Sequence, residues 1–157
     1  MAIASHLGSW LLGTVKHTTG TTAGTIRNMG ATTVAQNSSV LYTDTASSVA
    51  DVLPAGALIT RIQFITTTAF SSAATITLSI GGTAITTAST ITTAGANAVA
   101  IAATTGAAAL VANVGSTDAI VTYTIGGTAL SSGAGVLVIE YVVRNSDGTY
   151  NPTAYTA

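Results

Sequence analysis

Two histidines, four aspartates and one glutamate are the acid–base and metal-binding side chains of this chain, and cysteine is absent. A thiolate nucleophile, a thiolate zinc site and a disulfide framework are therefore excluded. His6 and His17 both stand in a glycine-studded segment, without the H-x-x-x-H or H-E-x-x-H spacing that places two imidazoles on one metal. Serine is abundant, yet no G-x-S-x-G elbow occurs to raise one as a nucleophile. Neither G-x-x-x-x-G-K-[ST] nor G-x-G-x-x-G is present to cradle a phosphate. Glycoside hydrolysis needs two carboxyls about 5–10 Å apart. Asp44 and Asp51 flank a loop and Asp147 precedes a glycine, which assigns them to turns and caps. Glu140 stands in an apolar run. Pointing inward it would need Arg61 or Arg144, since an isolated buried carboxyl is pushed towards its neutral form. The sequence thus predicts no enzyme and no catalytic, cofactor-binding or metal-binding residue.

The elements that would hold these side chains are strands. Residues 58–65 read as a half-buried strand with Leu58, Thr60, Ile62 and Phe64 on one face and Arg61 and Gln63 on the other. Residues 75–80 alternate Ile76, Leu78 and Ile80 inward with hydroxyls outward. Gly81-Gly82 then predicts a two-residue hairpin with positive φ at both positions. Short β segments are expected near 89–93, 98–102 and 109–114. Residues 118–125 alternate again, and Gly126-Gly127 predicts a second tight hairpin, since Ile80-Gly81-Gly82-Thr83-Ala84-Ile85 resembles Ile125-Gly126-Gly127-Thr128-Ala129-Leu130. Residues 135–143 are apolar on both faces except for Glu140, the mark of a central strand covered on both sides. Alanine-rich 107–112 offers a turn at most, because Thr and Gly interrupt each stretch long enough for a stable helix. Short strands separated by frequent turn signals predict an all-β fold, an antiparallel, jelly-roll-like β-sandwich.

The sandwich is expected over 46–145, preceded by an extended arm over 1–45 and followed by a tail over 146–157. The arm has recurrent glycines, no hydrophobic period and short β pieces near 11–15, 32–36 and 40–42. Without a core of its own it needs something to lie on, either its own sheet or a neighbouring subunit. Trp10, Lys16, Arg27 and Tyr42 in the arm, with Tyr150 and Tyr155 in the tail, are the candidate interface residues, because Trp, Tyr and Arg dominate contact energies.

Composition adds the strongest constraint. Of 157 residues, 48% are hydrophobic, 5% aromatic and only 6% charged, against about a quarter charged in an ordinary domain. Threonine and alanine number about thirty each. Such a chain is the reverse of a disordered one, and four cations cannot neutralise a nucleic-acid backbone. Net charge is +2 up to Met29 and −3 over the rest. No run of 18 apolar residues is present to cross a bilayer as a helix. The first cation is Lys16, so the start lacks the charged region of a secretory signal. A surface of hydroxyls and methyls desolvates against a partner far more cheaply than one of ions. The composition therefore describes a subunit packed against copies of itself or a larger scaffold.

The order of these elements also carries a resemblance. Leu53-Pro54-Ala55-Gly56-Ala57-Leu58-Ile59-Thr60-Arg61-Ile62, Ala69-Phe70, the Ile80-Gly81-Gly82 turn and Gly135-Val136-Leu137-Val138-Ile139-Glu140-Tyr141-Val142 together resemble small virion structural proteins of tailed bacteriophages, especially head decoration (cement) proteins. The resemblance covers residues 49–143. It implies a jelly-roll or similar sandwich that assembles as a homotrimer on the capsid exterior against the major capsid protein, without cofactor, nucleic acid or membrane; the missing signal and missing cysteine fit assembly in a bacterial cytoplasm. A tail, fibre or adaptor subunit that binds a receptor is the alternative. An ice-binding role would use Thr-x-Thr at 75–77, 90–92 and 122–124, but those repeats are unevenly spaced. A secreted carbohydrate-binding domain lacks the aromatics for sugar stacking.

Overall fold

Antiparallel pairing over the described residues builds two sheets. The structure is a computed structural model and describes residues 33–44 and 47–143. In chain order the elements are β1 (Thr33–Leu41), β2 (Ser48–Leu53), β3 (Leu58–Thr68), β4 (Thr75–Ile80), β5 (Thr83–Ala84), β6 (Ser89–Thr90), β7 (Gly95–Ala98), α1 (Thr105–Ala112), β8 (Ala119–Gly126) and β9 (Ala134–Val142). The first sheet has the order β1-β9-β3-β7 and the second β2-β8-β4-β5, with β6 also paired to β4. Successive long strands pass from one sheet to the other, which is the strand order of a jelly roll. The fold expected from the sequence is the fold observed.

Period-2 alternation explains the two layers. Ile76, Leu78 and Ile80 of β4 and Val121, Tyr123 and Ile125 of β8 meet Leu137, Ile139 and Tyr141 of β9, and all nine are buried. Fully burying one such aliphatic side chain contributes about 1.5–3 kcal/mol. Phe64 and Phe70 supply the aromatic part of this core, their rings tilted with centroids 6.1 Å apart. Gly135, directly opposite Thr66 on β3, leaves space for the Phe64 ring; a methyl group there would overlap it. Thr66 and Thr86, both buried threonines, have partners. Thr66 Oγ1 donates to Ile91 O at 2.9 Å, and Thr86 Oγ1 accepts from Leu78 N at 2.8 Å.

The sequence reading needs correction at several places, among them residues 135–143, whose Val136, Val138 and Glu140 face outward and are only half-buried. On β3 the inward residues are Ile59, Ile62, Phe64 and Thr66, while Thr60 is exposed and Leu58 half-buried. The pairing with β9 slips between Ile59 and Arg61 and again between Thr66 and Thr68. The extra residue is a threonine each time: Thr60 Oγ1 donates to Glu140 O and Thr67 Oγ1 to Ala134 O, both at 3.1 Å. Each hydroxyl thus serves a β9 carbonyl where the ladder slips.

Residues 109–114, expected to be a strand, belong mostly to α1. Thr104 caps that helix, its Oγ1 accepting from Ala107 N at 3.2 Å, and alanine is the best helix former. A good cap and an alanine run sufficed for eight residues. The strand expected at 98–102 is β7 (Gly95–Ala98) followed by a single bridge between Thr86 and Ile101.

The two Gly-Gly turns differ. Gly81 (φ 55°) and Gly82 (φ 81°) form the expected hairpin. After Gly126-Gly127 no hairpin follows; the chain crosses to the first sheet and re-enters as β9. Along this path Ser71 Oγ accepts from Ser131 N at 2.8 Å. Ile85 after the first turn is fully buried, whereas Leu130 after the second only packs against the core margin.

Within the expected arm, the short pieces near 32–36 and 40–42 are parts of one strand, β1, paired along its length with β9 of its own sheet. His6, His17, Trp10, Lys16 and Arg27, like Arg144, Asp147, Tyr150 and Tyr155, lie outside the described residues.

Candidate interaction faces and an acidic seam

The outer face of the second sheet is built from the residues that alternate with the core. On β2 and β8 these include Val49, Val52, Ile120, Thr122 and Thr124; on β4 they are Thr75, Thr77 and Ser79. Val52 stands directly opposite Ile120 and Val49 opposite Thr122. Thr77 faces Thr124, and Ser79 faces Thr122. Val49 is 62% exposed, Ile120 54% and Val52 49%, so three neighbouring aliphatic side chains keep about half of their surface in water. None of the eight residues carries a charge. Chemically, the face offers methyls for apolar contact and hydroxyls that both donate and accept.

The outer face of the first sheet is broader and mixed. Ser39, Val136 and Ile65 lie in one register row, Asn37, Val138 and Gln63 in the next, and Ala35, Glu140 and Arg61 in a third. Glu140 points to this outer side, away from the core, and takes the first of its two expected partners. Arg61 Nη1 lies 3.3 Å from Glu140 Oε1, and Arg61 Nη2 donates to Gln63 Oε1 at 2.7 Å.

Polar groups collect instead where β1 and β2, each the edge strand of its sheet, close one side of the sandwich. Ser38 Oγ donates to Ala50 O at 2.6 Å across this seam. Asp51 is directed into it by sharing a face with buried Leu53. Burial pushes the Asp51 carboxyl above its ordinary value, and the Ser38 hydroxyl offsets part of that. Asp51 Oδ2 and Gln36 Oε1, both acceptors, are sealed from solvent without a hydrogen-bond donor. Burial and the Asp51 charge both raise the Tyr141 phenol.

At the other end of the seam Tyr123 Oη donates to Asp44 Oδ2 at 2.8 Å, and the same oxygen accepts from Leu41 N at 2.8 Å. Burial first, then Asp44, push the Tyr123 phenol up to about 12. Asp44 thus has the turn role expected of it, and Asp118 has a similar one, accepting from Ala55 N at 3.0 Å. Among the described residues no three His, Cys, Asp or Glu side chains converge as a metal site would require. No described helix is long and apolar enough to cross a membrane.

Of the candidate interface residues, the described one is Tyr42. It packs against the core with its N–H donating to Gly133 O at 2.9 Å, a position that anchors the chain within its own domain. The others fall outside the described residues. The exposed Val49, Val52 and Ile120 were not singled out from sequence. Their signal was present: Ile120 falls between Ala119 and Val121, out of phase with the core positions of β8.

No family model, curated protein or solved structure matches the chain.

Proposed function

We propose that this chain is a structural subunit of a bacteriophage virion, a decoration protein that coats the capsid exterior and works by protein–protein contact alone. The observation that carries this reading is the outer face of the second sheet, where Val49, Val52 and Ile120 stay about half exposed among outward strand residues that carry no charge. Exposed apolar groups on an uncharged sheet face mark a contact surface, because water gains from their removal and no ion must be stripped. The jelly-roll strand order is shared by viral capsid domains, lectins and cupins, so it supports the reading only as analogy.

In this role the subunits bind the assembled shell and not its free building blocks, which shifts the equilibrium towards the intact particle by mass action. Contacts that are weak singly become persistent when symmetry repeats them. The partners are the major capsid protein and further copies of the chain, assembled as a homotrimer, without enzymatic turnover or cofactor.

The test uses phage heads stripped of or assembled without the protein. Purified full-length chain added to such heads is expected to co-sediment with them, to appear as regular protrusions by cryo-electron microscopy, and to raise the temperature of genome release. Heads that bind none of it and lose their genome at the same temperature overturn the proposal. Density on the tail in place of the head transfers the chain to the tail or fibre class.

A further inference from the structure

We propose that the seam between β1 and β2 is a latch worked by the charge on Asp51, closed while the carboxyl is neutral and loosened once it ionises. The inference stands apart from the assembly reading and concerns a conformational device within one chain.

Three observations place the latch here. First, among the described residues, Asp51 Oδ2 and Gln36 Oε1 are the buried side-chain oxygens without a hydrogen-bond partner, and both belong to these two strands. Elsewhere the buried polar groups are met, down to the hydroxyls of Thr66 and Thr86. An ionised carboxylate can only accept and is costly to hold away from water. A neutral one brings a proton of its own and costs less to bury.

Second, β1 and β2 are edge strands, each held in its sheet by one neighbour, β9 and β8. Either can move outward without breaking a ladder on its far side. Third, the chain is irregular at this point. The pairing of β2 with β8 skips between Val49 and Asp51, which leaves Ala50 as the extra residue. The Ala50 carbonyl accepts from Ser38 Oγ of β1 at 2.6 Å, a strap across the seam next to the carboxyl. A bulge held by a hydroxyl is where water enters with least disruption.

The surrounding groups leave Asp51 as the switch. From β9, Tyr141 feels the Asp51 charge, and from β8, Tyr123 is tied to Asp44 at the other end of the seam. Both phenols are raised above 10.0, Tyr123 to about 12, so neither gains charge in acid or neutral solution. Gln36 and Ser38 of β1 carry no charge, and Arg61 and Glu140 pair on the outer face of the first sheet. Asp44 is the other described carboxyl of the seam, and the variants below leave it in place.

Burial holds the Asp51 carboxyl above its ordinary 3.8, so the closed seam favours the neutral form. The opening equilibrium therefore climbs as pH rises from 3.8 to the closed-seam value and levels off above it. Opening bares the edges of β1 and β2, each a template for an added strand.

The experiment is native-state hydrogen exchange by NMR on the full chain between about pH 3 and 7, with intrinsic exchange rates divided out. Amides of β2 report the seam, and those of β4 report global unfolding. In the parent, β2 is expected to open more often than β4. Its opening constant is expected to rise with pH by at most about tenfold per unit, the limit for one proton. Asp51→Asn is expected to abolish that slope. Ser38→Ala is expected to raise β2 opening in acid as well, because the strap is gone. A parent without the slope overturns the latch, as does a slope that survives in Asp51→Asn. So does β2 opening only together with β4 at every pH, or a Ser38→Ala seam as closed as the parent's.

Discussion

Tyr123, in the middle of β8, donates its hydroxyl to the same Asp44 oxygen that receives the Leu41 N–H, so one carboxylate oxygen ties the turn after β1 to the second sheet. The two residues are 79 positions apart. The contact joins the edge of the first sheet to the centre of the second, near the point where the chain passes between the layers.

Removing that hydroxyl isolates its contribution. Tyr123→Phe keeps the ring in the core and is expected to destabilise the fold by about 1.5–3 kcal/mol, the range for a hydrogen bond to a charged acceptor. The pH dependence has a definite sign. The folded phenol titrates at about 12 against 10.0 for the free group, so the neutral form is favoured in the fold. This contribution is complete below pH 10 and is lost as pH rises towards 12. Urea denaturation of parent and Tyr123→Phe across that window should show the parent losing its advantage; parallel curves would refute the assignment.

Asp51 gives a second, separable pH effect. Its carboxyl is raised from 3.8 by burial, so the fold favours its protonated form. The contribution to stability is largest below the unfolded value and declines as pH rises through the folded one. Asp51→Asn replaces the ion by a neutral amide and so removes the cost of burying a charge. The variant is expected to be at least as stable as the parent at neutral pH and to lose that slope. Denaturation midpoints between pH 3 and 7 would check it, and equal slopes in both proteins would exclude Asp51 as the titrating group.

The layers were legible because alternation is local. Ile76, Leu78 and Ile80, or Val121, Tyr123 and Ile125, declare their faces without reference to the rest of the chain. The phase of β3 was not legible, because Thr60 and Thr67 can either continue a strand or bulge from it, and the carbonyls they serve belong to β9. The Gly127 crossover was hidden for the same reason: the hydroxyl that meets Ser131 belongs to Ser71, sixty residues earlier. The Tyr123–Asp44 pair and the Asp51–Gln36 seam join residues distant in sequence or on separate strands, so no spacing announces them. The predicted contact residues concentrated on Trp, Tyr and cations, whereas the exposed patch observed is aliphatic. The place of the exposed aliphatics followed only from knowing which side of β2 and β8 faces out.

Gly135 tests how closely the first sheet fits its aromatic core. A Cβ at this position would collide with the Phe64 ring and the Ile65 carbonyl, and neither can retreat without opening the β3–β9 ladder. Gly135→Ala is therefore expected to cost about 2–3 kcal/mol, the upper range for overpacking. Phe64→Leu in the same chain should recover part of that loss by vacating the overlap. Thermal denaturation of the two single variants and the double variant measures the coupling, and strict additivity would show that the ring and the glycine do not meet.

Arg61 and Glu140 form an ion pair in the described domain, yet little stability is expected of it. Their side chains are 53% and 30% exposed, and water screens a pair so placed. Arg61→Gln retains a donor for Gln63 and is expected to change stability by less than about 0.5 kcal/mol, with no dependence on salt beyond that of the parent. The alternative is that the pair fixes the register of β3 on β9 beside the Thr60 bulge, where Arg61 stands opposite Glu140. In that case Arg61→Gln would broaden the unfolding transition as well as lower its midpoint. Because the Thr60 hydroxyl already holds the Glu140 carbonyl at 3.1 Å, the bulge has its own anchor. Equilibrium denaturation of Arg61→Gln and Thr60→Val side by side decides between them, the larger loss being expected from the valine.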